Sequence, residues 1–275
     1  MSTLTTQDAL AHRVGVGAGL TGPHAYQLPW EQGRSSPQAE WLSSHQLLQW
    51  LDGSLTAIYG AADCANGTIM AVRLFLSPGD VLYAQGSPSA YVYMLESGLV
   101  QCRSHSQGLD GPDAASYVGA SEWTGLFNEH GLHLESVEAV AHSSLLALPI
   151  GELVALSASS PPIAELLSRC QGLALARDGR LASSLRDLSP YTRTVVGLIH
   201  LVHMIDPQLE AGQHESRIWV ALNVSMLAHW LGLGLSQVHQ YLWQLQRVGA
   251  LRCNEARIMD VFPQGLFSVS CAIRE

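Results

Sequence analysis

Two hydrophobic periods divide the chain. From about Ile69 the apolar positions come in short runs, and "MAVRLFLSPGDVLYAQGSPSAYVYMLESGLVQCRS" reads as four strands broken at Pro78-Gly79, Gly86-Ser87-Pro88 and Ser97-Gly98. Further strands are expected at Ala115 to Val118, Ser136 to His142 and Ser144 to Pro149. Close-spaced strands with tight turns predict a small antiparallel barrel or roll. After Pro161-Pro162, a pair suited to a first helical turn, the period becomes three and four. Ile163, Leu166, Leu167, Cys170, Leu173, Ala174, Arg177, Leu181 and Leu185 make a stripe long enough for a spine or a dimer seam. Gly172 and Gly179 sit inside it, each costing about 1 kcal/mol relative to Ala, so this helix needs a partner.

A second helix is expected from Ser189, with Pro190 as its first helical residue, to just before Asp206-Pro207. "RIWVALN" then reads as a strand, and "LAHWLGLGLSQVHQYLWQLQ" as two short amphipathic helices joined at Gly232 and Gly234. "GALRCNEARIMDVF" reads as a small hairpin, or wing. Ahead of the strands, Trp41, Leu42, His45, Leu48 and Leu51 recur at helical spacing, which predicts a short helix from Gln38 to Leu51. Residues 1 to 37 have no clear period and are expected to form a loosely ordered arm. The expected organisation is α+β: an arm over 1–37, a roll over 38–160, a helix over 161–188, and a winged helix-turn-helix over 189–275.

Composition narrows the classes. The 47% hydrophobic fraction of the 275 residues suits ordinary cores in two domains. The 14 basic residues, all Arg, stand against 23 acidic ones for a formal charge of -9, which argues against a wholly basic nucleic-acid coat protein. Five Cys are scattered with no CxxC pair, so no disulfide framework or zinc site is implied. The sequence lacks a signal-peptide pattern and a long apolar run, and a soluble, cytoplasmic protein with no membrane partner is expected. No Ser/His/Asp set or phosphate-binding glycine loop is present, so no catalytic residue is assigned and an enzyme is not expected.

The order of roll, long helix, short helix and winged helix-turn-helix resembles the Crp/Fnr family of bacterial transcription regulators, as a divergent member. Three stretches carry the resemblance. "LSPGDVLYAQGSPSAYVYMLESGLV" resembles the family's strand-turn-strand signature, with Gly79, Gly86 and Gly98 at its turns. "LPIGEL", Leu148 to Leu153, resembles the entry to the helix after the roll, and "LNVSMLAHWLGLGLSQVHQYLWQLQRVGAL" resembles the helix-turn-helix, with Asn223 at the N-cap. The resemblance implies a homodimer held through Ile163, Leu167, Cys170, Leu173, Ala174 and Leu181, with DNA and RNA polymerase as partners.

Its effector chemistry is altered. Cyclic-nucleotide-binding members hold the ribose with a Gly-Glu pair and the phosphate with an Arg-Ser pair; here Trp123-Thr124 and Leu134-Glu135 stand near those places. A carboxylate where a guanidinium is needed repels phosphate, which argues against cyclic AMP. An N-terminal iron-sulfur cluster is excluded, because no Cys precedes Cys64. His130, His133 and Glu135 come close together, but their spacing is not that of cupin metal enzymes, and no metal ligand is assigned. His200 and His203 lie on an apolar helix, the usual setting of core or interface histidines; haem, which some members of the family bind, stays open as an effector.

The second helix of the helix-turn-helix holds no cation before Arg247. With Leu235, Val238, Leu242 and Leu245 expected as its buried stripe, Ser236, Gln237, His239 and Gln240 are the expected base readers. Where the best-known relatives place an Arg that grips guanine, this chain has Gln240, whose amide can make two hydrogen bonds to adenine. Arg247, Arg252 and Arg257 cluster toward the wing and are expected to hold phosphates, although from Asp206 onward five Arg face six acidic residues. The competing expectation is a regulator that kept the fold but acts through a protein partner or a ligand such as haem, with Trp230 or Trp243 marking the partner surface.

Overall fold

The computed structural model describes residues 38–43, 68–104, 114–126, 128–185, 187–206 and 217–274. Two antiparallel sheets form the first half. The larger has the order β1 (Gln38–Ser43), β2 (Thr68–Leu76), β11 (Ser143–Pro149), β4 (Tyr91–Ser97) and β7 (Trp123–Thr124). The smaller runs β3 (Val81–Tyr83), β10 (Ser136–Ala139), β5 (Leu99–Ser104) and β6 (Ala114–Gly119). A short ribbon of β8 (Asn128–Glu129) and β9 (Leu132–His133) lies beside them. The strands expected from Ile69 to Pro149 are present, and Gly79, Gly86 and Gly98 all take positive φ at their turns. At Gly98 the turn is tight enough that a Cβ would meet the backbone of His142 and Ser143.

Residues 38–43 correct one expectation. They form a strand, pairing antiparallel with β2 from Gln38 opposite Arg73 to Ser43 opposite Thr68. The spacing of Trp41 and Leu42 suits either element; pairing decides, because β1 takes up backbone groups along β2 that would otherwise be left at an open edge. The rest of the expected helix, and the arm over 1–37, lie outside the described residues.

The central strands are apolar on both faces, and the period of two sorts them. Val72, Leu74, Tyr93, Leu95 and Leu145 point between the sheets, where they meet Leu82, Val100, Val118 and Val137. Ile69, Ala71, Val92, Met94, Leu146 and Leu148 point the other way, onto α1 (Ile150–Ser159) and α2 (Pro161–Leu185). Leu153, Leu156, Ile163, Leu166 and Cys170 close this second core. Burying a side chain of the Leu or Ile class stabilises the fold by about 2 kcal/mol, so α2 is held to its own roll along its first three turns.

The second half begins with α3 (Pro190–Ile205), whose N-cap Ser189 accepts from the Thr192 amide at 3.2 Å. β12 (Ile218–Asn223) leads into α4 (Val224–Leu231) and α5 (Leu235–Arg247). The hairpin of β13 (Leu251–Cys253) and β14 (Arg257–Val261) completes a three-stranded sheet with β14 in the centre. A last helix, α6 (Pro263–Arg274), absent from the sequence reading, packs against α3, with the His203 and Phe267 rings 5.6 Å apart. The two halves share a core: Leu99, Tyr117, Val140 and Ala141 of the roll pack with Leu198, Leu222, Leu227 and Leu231. The Ala221 amide donates to the Val140 carbonyl, and Trp230 meets Tyr117 edge to face at 5.0 Å.

Candidate nucleic-acid interface

Local sequence chemistry sets the two helices. Asn223 Oδ1 accepts from the Ser225 and Met226 amides at 2.9 and 3.2 Å, satisfying donors at the start of α4. Gly232, at φ 64°, ends α4 in the left-handed conformation that Gly adopts without a Cβ penalty. α5 starts three residues later, at Leu235, and buries Val238, Leu242 and Leu245. Leu235, expected in that stripe, is instead 46% exposed, because it opens the helix ahead of the first turn that packs on the core. Ser236, Gln237, Gln240, Trp243, Gln244 and Arg247 are exposed, and Ser236, Gln240, Trp243 and Arg247 follow one another at three- and four-residue steps.

Two of the expected readers have other duties. Gln237 Oε1 accepts from the Gly234 amide at 3.3 Å, tying the side chain to the helix start. His239, half-buried, donates from Nε2 to the Glu255 carbonyl at 2.9 Å and so joins α5 to the turn of the hairpin. Gln246 braces the same joint, with Oε1 accepting from the Cys253 amide at 2.9 Å. Between helix and hairpin lies a groove of about 530 Å³ lined by His239, Gln240, Trp243, Asn254 and Glu255 among others. Asn254 Oδ1 accepts from the Ala256 and Arg257 amides, which fixes the hairpin turn.

The arginines are less free than the sequence suggests. Asp260 is 1% exposed and stands between Arg217 Nε at 2.6 Å and Arg252 Nε at 2.8 Å. Arg257 Nη2 pairs with Glu138 Oε1 of the roll at 3.2 Å. Arg247 lies over the Trp243 ring, 5.2 Å from its centre. Two of the three guanidinium groups expected on phosphates are therefore already matched to carboxylates.

Inside the roll a second polar cluster is filled by the chain itself. The His133 ring stacks on Tyr83 at 3.7 Å, and Tyr93 lies beside Tyr83 at 5.5 Å. Tyr83 donates to Glu135 Oε1 at 3.1 Å; Thr124 Oγ1 is 3.0 Å from the same oxygen and 2.6 Å from the phenol. Burial, helped by Glu135, raises the Tyr83 pKa well above its ordinary value, so the phenol stays a donor. His133 is 2% exposed with Nδ1 unpartnered, and burial lowers its pKa to about 4. His130 is exposed at the β8–β9 turn. Among the described residues no group of three His, Cys, Asp or Glu side chains is placed to hold a metal ion. None of the described helices is long and apolar enough to cross a membrane.

No family model and no curated protein matches the sequence. Solved structures do. FixK2 from Bradyrhizobium japonicum superposes with a TM-score of 0.50 at 20% identity, over 72% of this chain and 96% of its own. A CRP-family transcriptional regulator from Thermus thermophilus gives 0.51 at 18% identity, again over 72% of this chain and 96% of its own. The fold is that of the Crp/Fnr regulators.

On this Crp/Fnr fold the sequence-derived positions fall as follows. Ser236 and Gln240 stand on the outward face of α5, and Gln237 and His239 flank it with their side chains engaged. Arg247 is exposed at the end of α5, whereas Arg252 and Arg257 are ion-paired. Trp243 is 61% exposed, but Trp230 is half-buried against Tyr117. Of the positions assigned to a dimer seam, Ile163 and Cys170 are buried inside this chain and Leu167 packs beside them; Leu173 is 55% exposed and Ala174 half-buried. The Leu181 side chain lies outside the described residues. Thr124 and Glu135, near the nucleotide-holding pairs of the Crp/Fnr resemblance, are hydrogen-bonded to each other. The Glu138 and Asp260 pairings went unforeseen; only their charge was visible, since each partner arrives through tertiary packing.

Proposed function

We propose that the chain is a sequence-specific DNA-binding transcription regulator of the Crp/Fnr type, working as a homodimer and acting on RNA polymerase. The observation that carries this reading is the outward face of α5, where Ser236, Gln240 and Gln244 stand exposed in front of a buried stripe of Val238, Leu242 and Leu245. A helix held this way enters a major groove, and neutral amides and hydroxyls address base edges there. Gln240 takes adenine. The effector in this reading is other than cyclic AMP or an N-terminal iron-sulfur cluster; in support, Glu135, near the pair that the Crp/Fnr resemblance assigns to the phosphate, is a carboxylate bonded to Tyr83 and Thr124.

A second reading has its own support. With Arg252 and Arg257 matched to carboxylates and Trp243 exposed, the same face suits a protein partner. Substitution at Gln240 separates the two. Gln240→Ala costs about 1 to 3 kcal/mol on the preferred duplex and relaxes base choice at one position per half-site. Gln240→Arg moves preference toward guanine there. Equal binding of all sequences by wild type and both variants, measured by fluorescence anisotropy at low salt, defeats the DNA reading.

A further inference from the structure

Trp243 is the largest apolar group on the outward face of α5, and none of the base-reading roles above uses it. It follows Gln240 by three residues and precedes Arg247 by four, so the three side chains stand in line along the helix. At a rise of about 1.5 Å per residue, the backbone of Trp243 lies about 4.5 Å beyond that of Gln240 along the axis, against about 3.4 Å between successive base pairs. The Arg247 guanidinium lies 5.2 Å from the ring centre and holds one face of it. The groove toward the hairpin, about 530 Å³, opens beside the ring, with Leu242 among its lining residues.

The major-groove edges of the four bases are hydrogen-bonding surfaces with a single apolar exception, the 5-methyl group of thymine. An indole between the Gln240 amide and the Arg247 guanidinium presents mostly apolar ring surface beside a single Nε1–H donor, and the major-groove feature that ring surface can cover is this methyl group. We propose that Trp243 is a specificity-determining residue that reads the 5-methyl group of a thymine adjacent to the base pair addressed by Gln240. The inference rests on the DNA reading above and assigns it one further position: thymine flanking adenine, selected by loss of apolar surface to water rather than by a hydrogen bond.

The test replaces single thymines by deoxyuridine in the duplex selected by the full-length protein, which removes only the methyl group. Wild-type affinity should fall about fourfold at one position per half-site, the loss expected for one buried methyl. Trp243→Ala should bind the thymine duplex more weakly and be indifferent to deoxyuridine there. Trp243 is exposed, so the variant keeps its fold, and an unchanged melting temperature verifies this. A selected duplex on which no deoxyuridine matters, or on which Trp243→Ala keeps the full sensitivity, overturns the thymine assignment while leaving the DNA reading standing. Failure to select any sequence overturns both, and Trp243 then belongs to a protein-binding face.

Discussion

At the scale of single residues, burial has put a titratable ring where it must stay neutral. His133 is enclosed against Tyr83, and its pKa falls from an ordinary 6.5 to about 4. The unfolded chain therefore takes up a proton between those values that the folded chain refuses. This contribution to stability is complete above pH 6.5 and is lost progressively as pH falls toward 4, with an upper bound of about 3 kcal/mol. Urea unfolding of wild type and His133→Phe at pH 7 and pH 5 checks it: the wild type should lose more stability than the variant on acidification. Asp260 is as deeply buried, and its partners come from the fold: Arg217 lies against one carboxylate oxygen and Arg252 against the other.

At the scale of elements, the parts legible in the sequence were those whose cause is local. Ser189-Pro190 and Asn223 announce the starts of α3 and α4 by side-chain capping, and Gly79, Gly86 and Gly98 announce turns by the φ they permit. The same local signals mark α6, where Pro263 sits at the first turn and Leu266, Val269 and Ile273 follow at helical spacing, although no helix was assigned to that segment. Residues 38–43 were misread because pairing with β2 is a long-range fact. The site followed the same rule: the outward face of α5 was legible from its period, whereas the ion pairs of Arg252 and Arg257 depend on Asp260 and Glu138 brought in by the fold.

The stripe on α2 also divides at this scale. Ile163 and Cys170 serve the roll, whereas Leu173 stands in water, and we propose that a seam between two chains includes Leu173. Leu173→Glu should convert a dimer to monomer in sedimentation velocity with an unchanged melting temperature at low concentration. Ile163→Glu, by contrast, should lower the melting temperature steeply, because it puts a charge into the core under the roll.

At the scale of the molecule, the roll and the winged helix-turn-helix are coupled through a shared core and through one charge. Glu138 of β10 holds Arg257 of β14 at 3.2 Å, the same guanidinium that a phosphate would recruit. While Glu138 holds it, Arg257 is not available to a phosphate. Glu138→Gln releases Arg257, so the variant should bind DNA more tightly at low salt. Its log-log salt slope should steepen from about -2, one phosphate contact per subunit of a dimer, toward about -4. An unchanged slope would mean that Arg257 takes no part in the interface.

The central claim is that a helix-turn-helix nearly free of cations still reads sequence. It is tested most directly by selection of bound duplexes from a random pool by the wild-type protein at low salt. The expected result is enrichment of a two-fold symmetric site with half-sites about 34 Å apart and adenine at the position addressed by Gln240. A pool that emerges without enrichment, from protein shown to be folded and dimeric, would contradict it.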